Sequence, residues 1–289
     1  MSVFVVMVVL GSACLHALWN SLLKGGHDKF SEAVFNTIGA SLLAVVLLVF
    51  FLPPLPAVSW PYLLASLIFH VSFYFGLVQA YQRTDLSYAY TLMRGSAPLF
   101  TALASVFILS QPLSLTGWLG IAMICLGILS LALDALRRLA LTCKADAFNR
   151  VATLVAMGSA LLIMAYTIID GQGVLAGGQA FTYGCWLFVL IGVIMVSIGM
   201  LFRRKQVLSY ASGRSLVNGM VGGSASLIAY MLVLWAMTIA SVPLVAAMRE
   251  CGVVFAMLIG VFFLKERFTG LRLMAILLVL AGIALLRLA

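Results

Sequence analysis

The sequence predicts an all-α integral membrane protein of ten transmembrane helices, arranged as two inverted five-helix repeats, and three observations carry that prediction. The first is composition: of 289 residues, 64% are hydrophobic and only 9% charged, with a mean hydropathy of +1.19. A soluble domain carries roughly 25% charged residues, so most of this surface faces lipid. The second is segmentation into ten apolar runs, each close to the roughly 20 residues that cross a bilayer. The third is an internal repeat. Together they exclude a cytosolic enzyme, a secreted disulfide scaffold and a disordered chain.

The runs lie at 3–23, 31–52, 60–81, 86–109, 115–133, 151–169, 181–202, 214–238, 241–264 and 270–288. The first has no basic residue ahead of it and contains Trp19 and Asn20, so it reads as a retained span and not a cleaved signal. Breaks follow at Lys24–Lys29, at the prolines Pro53, Pro54, Pro56 and Pro61, at Arg83-Thr84-Asp85 and at Ser110-Gln111-Pro112. In the second half they fall at Asp170–Gln179, Arg203-Arg204-Lys205 and Lys265-Glu266-Arg267. The longest polar stretch, Asp134–Arg150, sits at the centre. It divides a first repeat, 1–136, from a second, 151–289, with 137–150 as a basic linker loop.

Residues 85–131 align without gaps on 240–286, an offset of 155 that places Met93-Arg94 on Met248-Arg249 and Gly127-Ile128 on Gly282-Ile283. About eleven of the forty-seven positions are identical, and an arginine falling on an arginine inside an apolar run is not a compositional accident. A weaker echo at offset 147 sets Ser12 on Ser159, Trp19 on Tyr166 and Asn20 on Thr167. With five spans per unit, the second copy enters the membrane from the opposite side, which places a binding site near the midplane between the halves.

Fourteen bases fall in loops after the odd-numbered spans and only Arg287 on the other side. By the positive-inside rule the base-rich face is cytoplasmic and both termini are outside. The net charge of +9 therefore describes orientation in the membrane and implies no nucleic-acid partner. Five cysteines form no CxxC pair and read as small packing residues.

Arg94 and Arg249 each sit about eight residues into a span, near the midplane, where an unpartnered arginine costs at least about 2.5–3.5 kcal/mol. Three readings stand: a salt bridge that locks the bundle, a cavity for an anionic group with Glu250 as a candidate proton carrier, or snorkelling of the long side chains toward the interface. Because neighbouring helical residues point about 100° apart, Glu250 is expected to pair with another helix and not with Arg249. Two arginines against one glutamate leave a positive excess. His16, Trp19 and Asn20 share one face of the first span, which Lys24 extends toward the interface; Tyr166, Thr167 and Asp170 make a comparable face in the sixth. Asp170 is equally compatible with an interfacial carboxylate. His70, Tyr74, Tyr81, Tyr230 and Trp235 could wall a cavity, and Pro98 and the Gly219/Gly223 pair suit a bent helix and a close helix contact. HExxH, GxSxG, paired aspartates, a Cys/His ligand set and a Walker A loop are all missing, so neither enzyme activity nor a cofactor or metal is expected.

These residues resemble the drug/metabolite transporter superfamily, and within it the EamA-type permeases of ten spans. The likeness rests on the duplicated unit, on Met93-Arg94-Gly95-Ser96-Ala97-Pro98-Leu99-Phe100 through Gly127-Ile128 and its copy ending Leu264-Lys265-Glu266-Arg267, and on His16-Ala17-Leu18-Trp19-Asn20 and Tyr166-Thr167-Ile168-Ile169-Asp170-Gly171. It implies a multi-pass permease of the cell (inner) membrane that moves small metabolites, often outward, by alternating access. The chain departs from the family pattern in having Ser110-Gln111-Pro112 where its second copy has Lys265-Glu266-Arg267. The resemblance also implies cytoplasmic termini, against the charge count. The expected partners are a small polar solute such as an amino acid, carboxylate or phosphonate, membrane lipid, and protons as a candidate coupling ion. A lipid-linked sugar flippase and a non-transporting membrane subunit are the alternatives, and the sequence does not choose between monomer and homodimer.

Overall fold

The computed structural model describes residues 1–24, 28–83, 86–110, 112–141, 150–264 and 269–289, and among these all regular structure is helical. The helices are α1 (Val3–Lys24), α2 (Lys29–Phe50), α3 (Trp60–Arg83, preceded by a 3₁₀ turn at Ala57–Ser59), α4 (Leu86–Phe107), α5 (Leu115–Leu141) and α6 (Arg150–Gly177). They continue as α7 (Ala180–Phe202), α8 (Arg204–Tyr210), α9 (Gly213–Met237), α10 (Val242–Arg249), α11 (Gly252–Leu264) and α12 (Gly270–Leu288). Side-chain caps set several starts. Asp28 accepts from the Phe30 amide ahead of α2, Ser212 and Ser215 form a reciprocal capping box at α9, and Thr269 accepts from the Arg272 amide ahead of α12.

Among the described residues, eight helices are long and apolar enough to cross a membrane: α1, α2, α3 with its leading turn, α5, α6, α7, α9 and α12. The expected fourth span, α4, is diluted by Arg94, Ser96 and Thr101, and the expected ninth is divided into α10 and α11. At that division the backbone tightens to i→i+3 bonds, Glu250 N–H to Ala247 O at 3.2 Å and Cys251 N–H to Met248 O at 3.1 Å. Residues such as Phe50, Leu64, Ile68, Leu154 and Leu201 are exposed on the outside, as lipid-facing positions are, while Ser12, Thr37, Ser66, Arg94, Thr167 and Glu250 are buried.

Three sequence expectations need correction. The stretch from Asp170 to Gln179, read as a break, continues α6 as far as Gly177. Its glycines serve packing and not turning: a methyl group at Gly171 would lie 2.7 Å from Val242, and one at Gly173 2.7 Å from the Tyr183 ring. The stretch read as a linker loop, 137–150, is helical up to Leu141 and again at Arg150, which begins α6, while 142–149 lie outside the described residues. Arg204 and Lys205, read as a loop, begin the short α8. The Lys265-Glu266-Arg267 and Thr84-Asp85 segments, and the side chains of Lys24 and Tyr81, are also outside the described set.

Packing follows small residues. α5 runs antiparallel to α12, where a methyl at Gly127 would meet Ala275 O at 2.9 Å and one at Gly282 would meet Gly120 O at 2.8 Å. α3 packs along α6, with Gly76 against Ser159, and α1 along α9, where Ser12 Oγ donates to Ala229 O at 2.8 Å. α2 packs on both α7 and α9. As the Gly219/Gly223 spacing predicts, the α2–α9 contact is backbone-close: a methyl at Gly219 would lie 2.8 Å from Phe35 Cβ and one at Gly223 2.9 Å from the Gly39 carbonyl carbon. Beside the N-terminal ends of these helices, Tyr210 OH donates to Glu32 at 2.6 Å and Arg203 lies 3.7 Å from Asp28.

A candidate solute chamber between the two halves

Arg94 on α4 and Arg249 at the end of α10 are each 3% exposed, and both reach one carboxylate, Glu250, which is 2% exposed. Arg94 Nη1 donates to its two oxygens at 3.2 and 3.1 Å; Arg249 Nε donates to Oε1 at 3.0 Å and its Nη2 stands 2.9 Å from the same atom. Glu250 thus pairs with another helix as expected and, against expectation, with its neighbour as well. Adjacent helical side chains leave the axis about 100° apart, but the long Arg249 side chain brings its guanidinium back to the carboxylate at the C-cap of α10. At offset 155 the first-half counterpart of Glu250 is Gly95, so one carboxylate serves both arginines.

Each arginine also reaches the first helix of its own half. Arg94 Nη2 contacts His16 Nε2, and Arg249 Nη2 lies 3.5 Å from Thr167 Oγ1. On the other side of the His16 ring, Trp19 Nε1 donates to Nδ1 at 3.1 Å. A neutral imidazole accepts at one nitrogen only, so one of these two donors faces a ring N–H. Donors crowd this end of the chamber, and an oxygen-bearing anion would match them.

The opposite wall is aromatic. His70 stacks on Tyr166 with centroids 3.9 Å apart, Tyr230 meets both rings edge-on, and Phe73 meets Tyr166 edge-on. Behind them Asp170 is fully buried and is not an interfacial carboxylate. Its Oδ1 accepts from Tyr183 OH at 2.8 Å, its Oδ2 accepts from Tyr230 OH, and His70 Nε2 is 3.9 Å from Oδ2. The positive excess expected from two arginines and one glutamate is therefore offset: with neutral histidines, two arginines and two carboxylates sum to zero.

The enclosed space is about 50 Å³, room for a few waters and smaller than a small-molecule pocket of about 300 Å³ or more. Among the expected site residues, His16, Trp19, Tyr74, Arg94, Tyr166, Tyr230 and Arg249 line it. Glu250 and Asp170 stand one layer behind. Asn20 Nδ2 bonds back to His16 O at 2.8 Å, and Trp235 packs edge-on against Phe4, so neither borders the space. Phe188, Ser226 and Val233 line it without having been singled out, and Tyr183 supports it; their own helices carry no local polar pattern that marks them. Among the described residues no cluster of His, Cys, Asp or Glu is arranged to hold a metal.

Buried charged and aromatic side chains around a small internal space, surrounded by helices with apolar outer faces, define the class, a membrane protein with a water-sized chamber in its interior. The profile of the EamA-like transporter family matches residues 3–133 and again 151–288, and the chain belongs to that family. No curated protein matches it. A solved structure titled only as the crystal structure of a protein shares the fold, with a TM-score of 0.77 over 98% of both chains at 16% identity.

Proposed function

We propose that the protein is a secondary carrier of the inner membrane, with ten spans in two inverted repeats and both termini outside, which moves a small anionic or zwitterionic metabolite by alternating access. The single observation behind this reading is the buried Arg94–Glu250–Arg249 group opening on a chamber between the halves. Contacts across the halves support the inverted repeat. Adding 155 to Gly120 and Gly127 gives Ala275 and Gly282, and the contacts 127–275 and 120–282 are the same contact exchanged. Such reciprocity is what a two-fold axis produces, and between antiparallel helices such as α5 and α12 that axis runs across them, which supports an inverted arrangement. Ser12 against α9 and Ser159 beside Gly76 of α3 repeat the pattern.

Alternation has a physical basis in one asymmetry. Under the same exchange the close α2–α9 seam corresponds to α7–α3, where contact is sparser and includes the Trp60–Trp186 pair at 5.3 Å. A carrier that closes one seam while it opens the other exposes the chamber to each side in turn, and the small volume here is the contracted stage of that cycle.

The test is flux into liposomes that contain this protein alone, with labelled glycine, glutamate, lactate and methylphosphonate. The reading predicts saturable uptake of one or more of them, abolished in Arg94→Gln and Arg249→Gln proteins that still insert. Full activity in both variants removes the proposed site, and uptake of none of them by folded protein overturns the anion-carrier reading.

A further inference from the structure

The charge sum of the chamber raises a question about any anion that enters it. Arg94 and Arg249 are balanced by Glu250 and Asp170, so a monoanion added to the site leaves a net negative charge in a low-dielectric interior, which is costly. One proton bound with the anion cancels that cost. His70 is placed to take it. Its Nδ1 stands 3.2 Å from Ser66 O, one turn back on α3, and 3.1 Å from Ser66 Oγ, so an N–H there donates to the helix carbonyl and the basic lone pair is at Nε2. That nitrogen faces Asp170 at 3.9 Å.

Asp170 is built as a fixed carboxylate. Both of its oxygens accept from tyrosine hydroxyls, Tyr183 from α7 and Tyr230 from α9, an arrangement that suits an acceptor-only, ionised group. His70 borders the chamber and Asp170 lies behind it, so a proton arriving from water in the chamber meets the imidazole first. The other ionisable groups around this couple are Tyr166 on α6, Tyr74 on α3, Tyr230 on α9 and, across the chamber, Arg249, Arg94 and His16.

We propose that His70 is the proton-binding residue of the carrier and Asp170 its positioning counter-charge, so that one proton and one monoanion occupy the chamber together and cross the membrane together. This rests on the transport reading, which left the coupling ion open. Loading converts the His70–Asp170 couple from a net charge of −1 to a neutral ion pair and the chamber from zero to +1, which the solute then neutralises.

Ring signals of isotope-labelled histidine, followed by magnetic resonance against pH in lipid nanodiscs without solute, test the couple. The chain has three histidines, and His70→Gln assigns the relevant one. Lowering the pH is expected to add a proton to wild-type His70 while the protein stays folded, and Asp170→Asn to lower that proton affinity at least tenfold. A wild-type His70 that stays neutral over the whole pH range in which the protein is folded overturns the proposal, even where Asp170→Asn does not fold. So does an Asp170→Asn protein in which the affinity changes less than tenfold. In liposomes, an inwardly directed proton gradient should raise uptake of a panel solute that moves as a monoanion, such as lactate or glutamate, and the ratio of flux with and without the gradient should fall to one in His70→Gln. An unchanged ratio in that variant also overturns the proposal. Titration needs no solute, so the failures are distinguishable: a titrating His70 in a protein that moves nothing sinks the transport reading and co-transport with it while the proton site stands, and flux past a non-titrating His70 sinks the coupling alone.

Discussion

Replacing Glu250 by Gln keeps the size of the side chain and removes its charge, which leaves two buried guanidinium groups facing one neutral amide. Arg94 and Arg249 nitrogens stand 3.1 and 2.9 Å from Glu250 oxygens in the native protein. Unit charges about 4 Å apart at an effective dielectric near 20 attract by about 4 kcal/mol, so the triad holds two such attractions against one arginine–arginine repulsion. Desolvation offsets part of this, and removing one partner of a buried pair costs about 3–5 kcal/mol. Glu250→Gln is accordingly expected to lose about 3–5 kcal/mol in equilibrium unfolding by SDS in bicelles. Arg94→Gln alone leaves one cation on one anion and should lose less. The sharper expectation concerns order: in the Glu250→Gln background, Arg94→Gln removes a repelling charge and should restore about 1 kcal/mol or more. A Glu250→Gln protein within 1 kcal/mol of wild type, or a double variant less stable than Glu250→Gln, would refute the reasoning.

Further outcomes follow from packing and charge. Gly219→Val places methyl groups against Phe35 and should destabilise by about 1–3 kcal/mol, read as a lower melting temperature, whereas Gly158→Ala, with nothing within 4 Å, should be neutral or slightly stabilising. Tyr183→Phe removes a 2.8 Å donor to the buried Asp170 carboxylate and should cost about 1–3 kcal/mol in the same SDS assay; no loss would show that the carboxylate is hydrated. A reporter active only outside the cytoplasm, fused after Ala289, should be active if the base-rich loops face the cytoplasm. A thermal-shift screen of the purified protein should rank anions above neutral sugars, with a solute at a hundred times its Kd adding about 2.7 kcal/mol.

The duplicated arginines were legible because charge inside an apolar run is conspicuous at any offset, and Gly127 over Gly282 fell into the same register. Asp170 was ambiguous for the converse reason: followed by Gly171-Gln172-Gly173, it reads locally as the end of a span. Those glycines instead admit Val242 and Tyr183, residues from other helices that no local window contains. The Arg249–Glu250 contact is not legible from helical periodicity, because periodicity fixes the direction in which a side chain leaves the helix and not where the end of a long arginine reaches. Phe188 and Val233 reach the chamber by helix packing alone, and the α2–α9 seam showed in sequence only as the Gly219/Gly223 spacing, without its partner.

The central claim is that Arg94 and Arg249 bind a solute that the protein carries across the membrane. Counterflow measures it most directly: liposomes holding this protein alone are loaded with unlabelled solute, and entry of a labelled trace is followed in wild type, Arg94→Gln and Arg249→Gln. The account predicts a transient accumulation of labelled anion in the wild type and none in either variant, with all three proteins inserted to the same extent. Equal accumulation in all three, or none in the wild type for any of the four solutes, would contradict it.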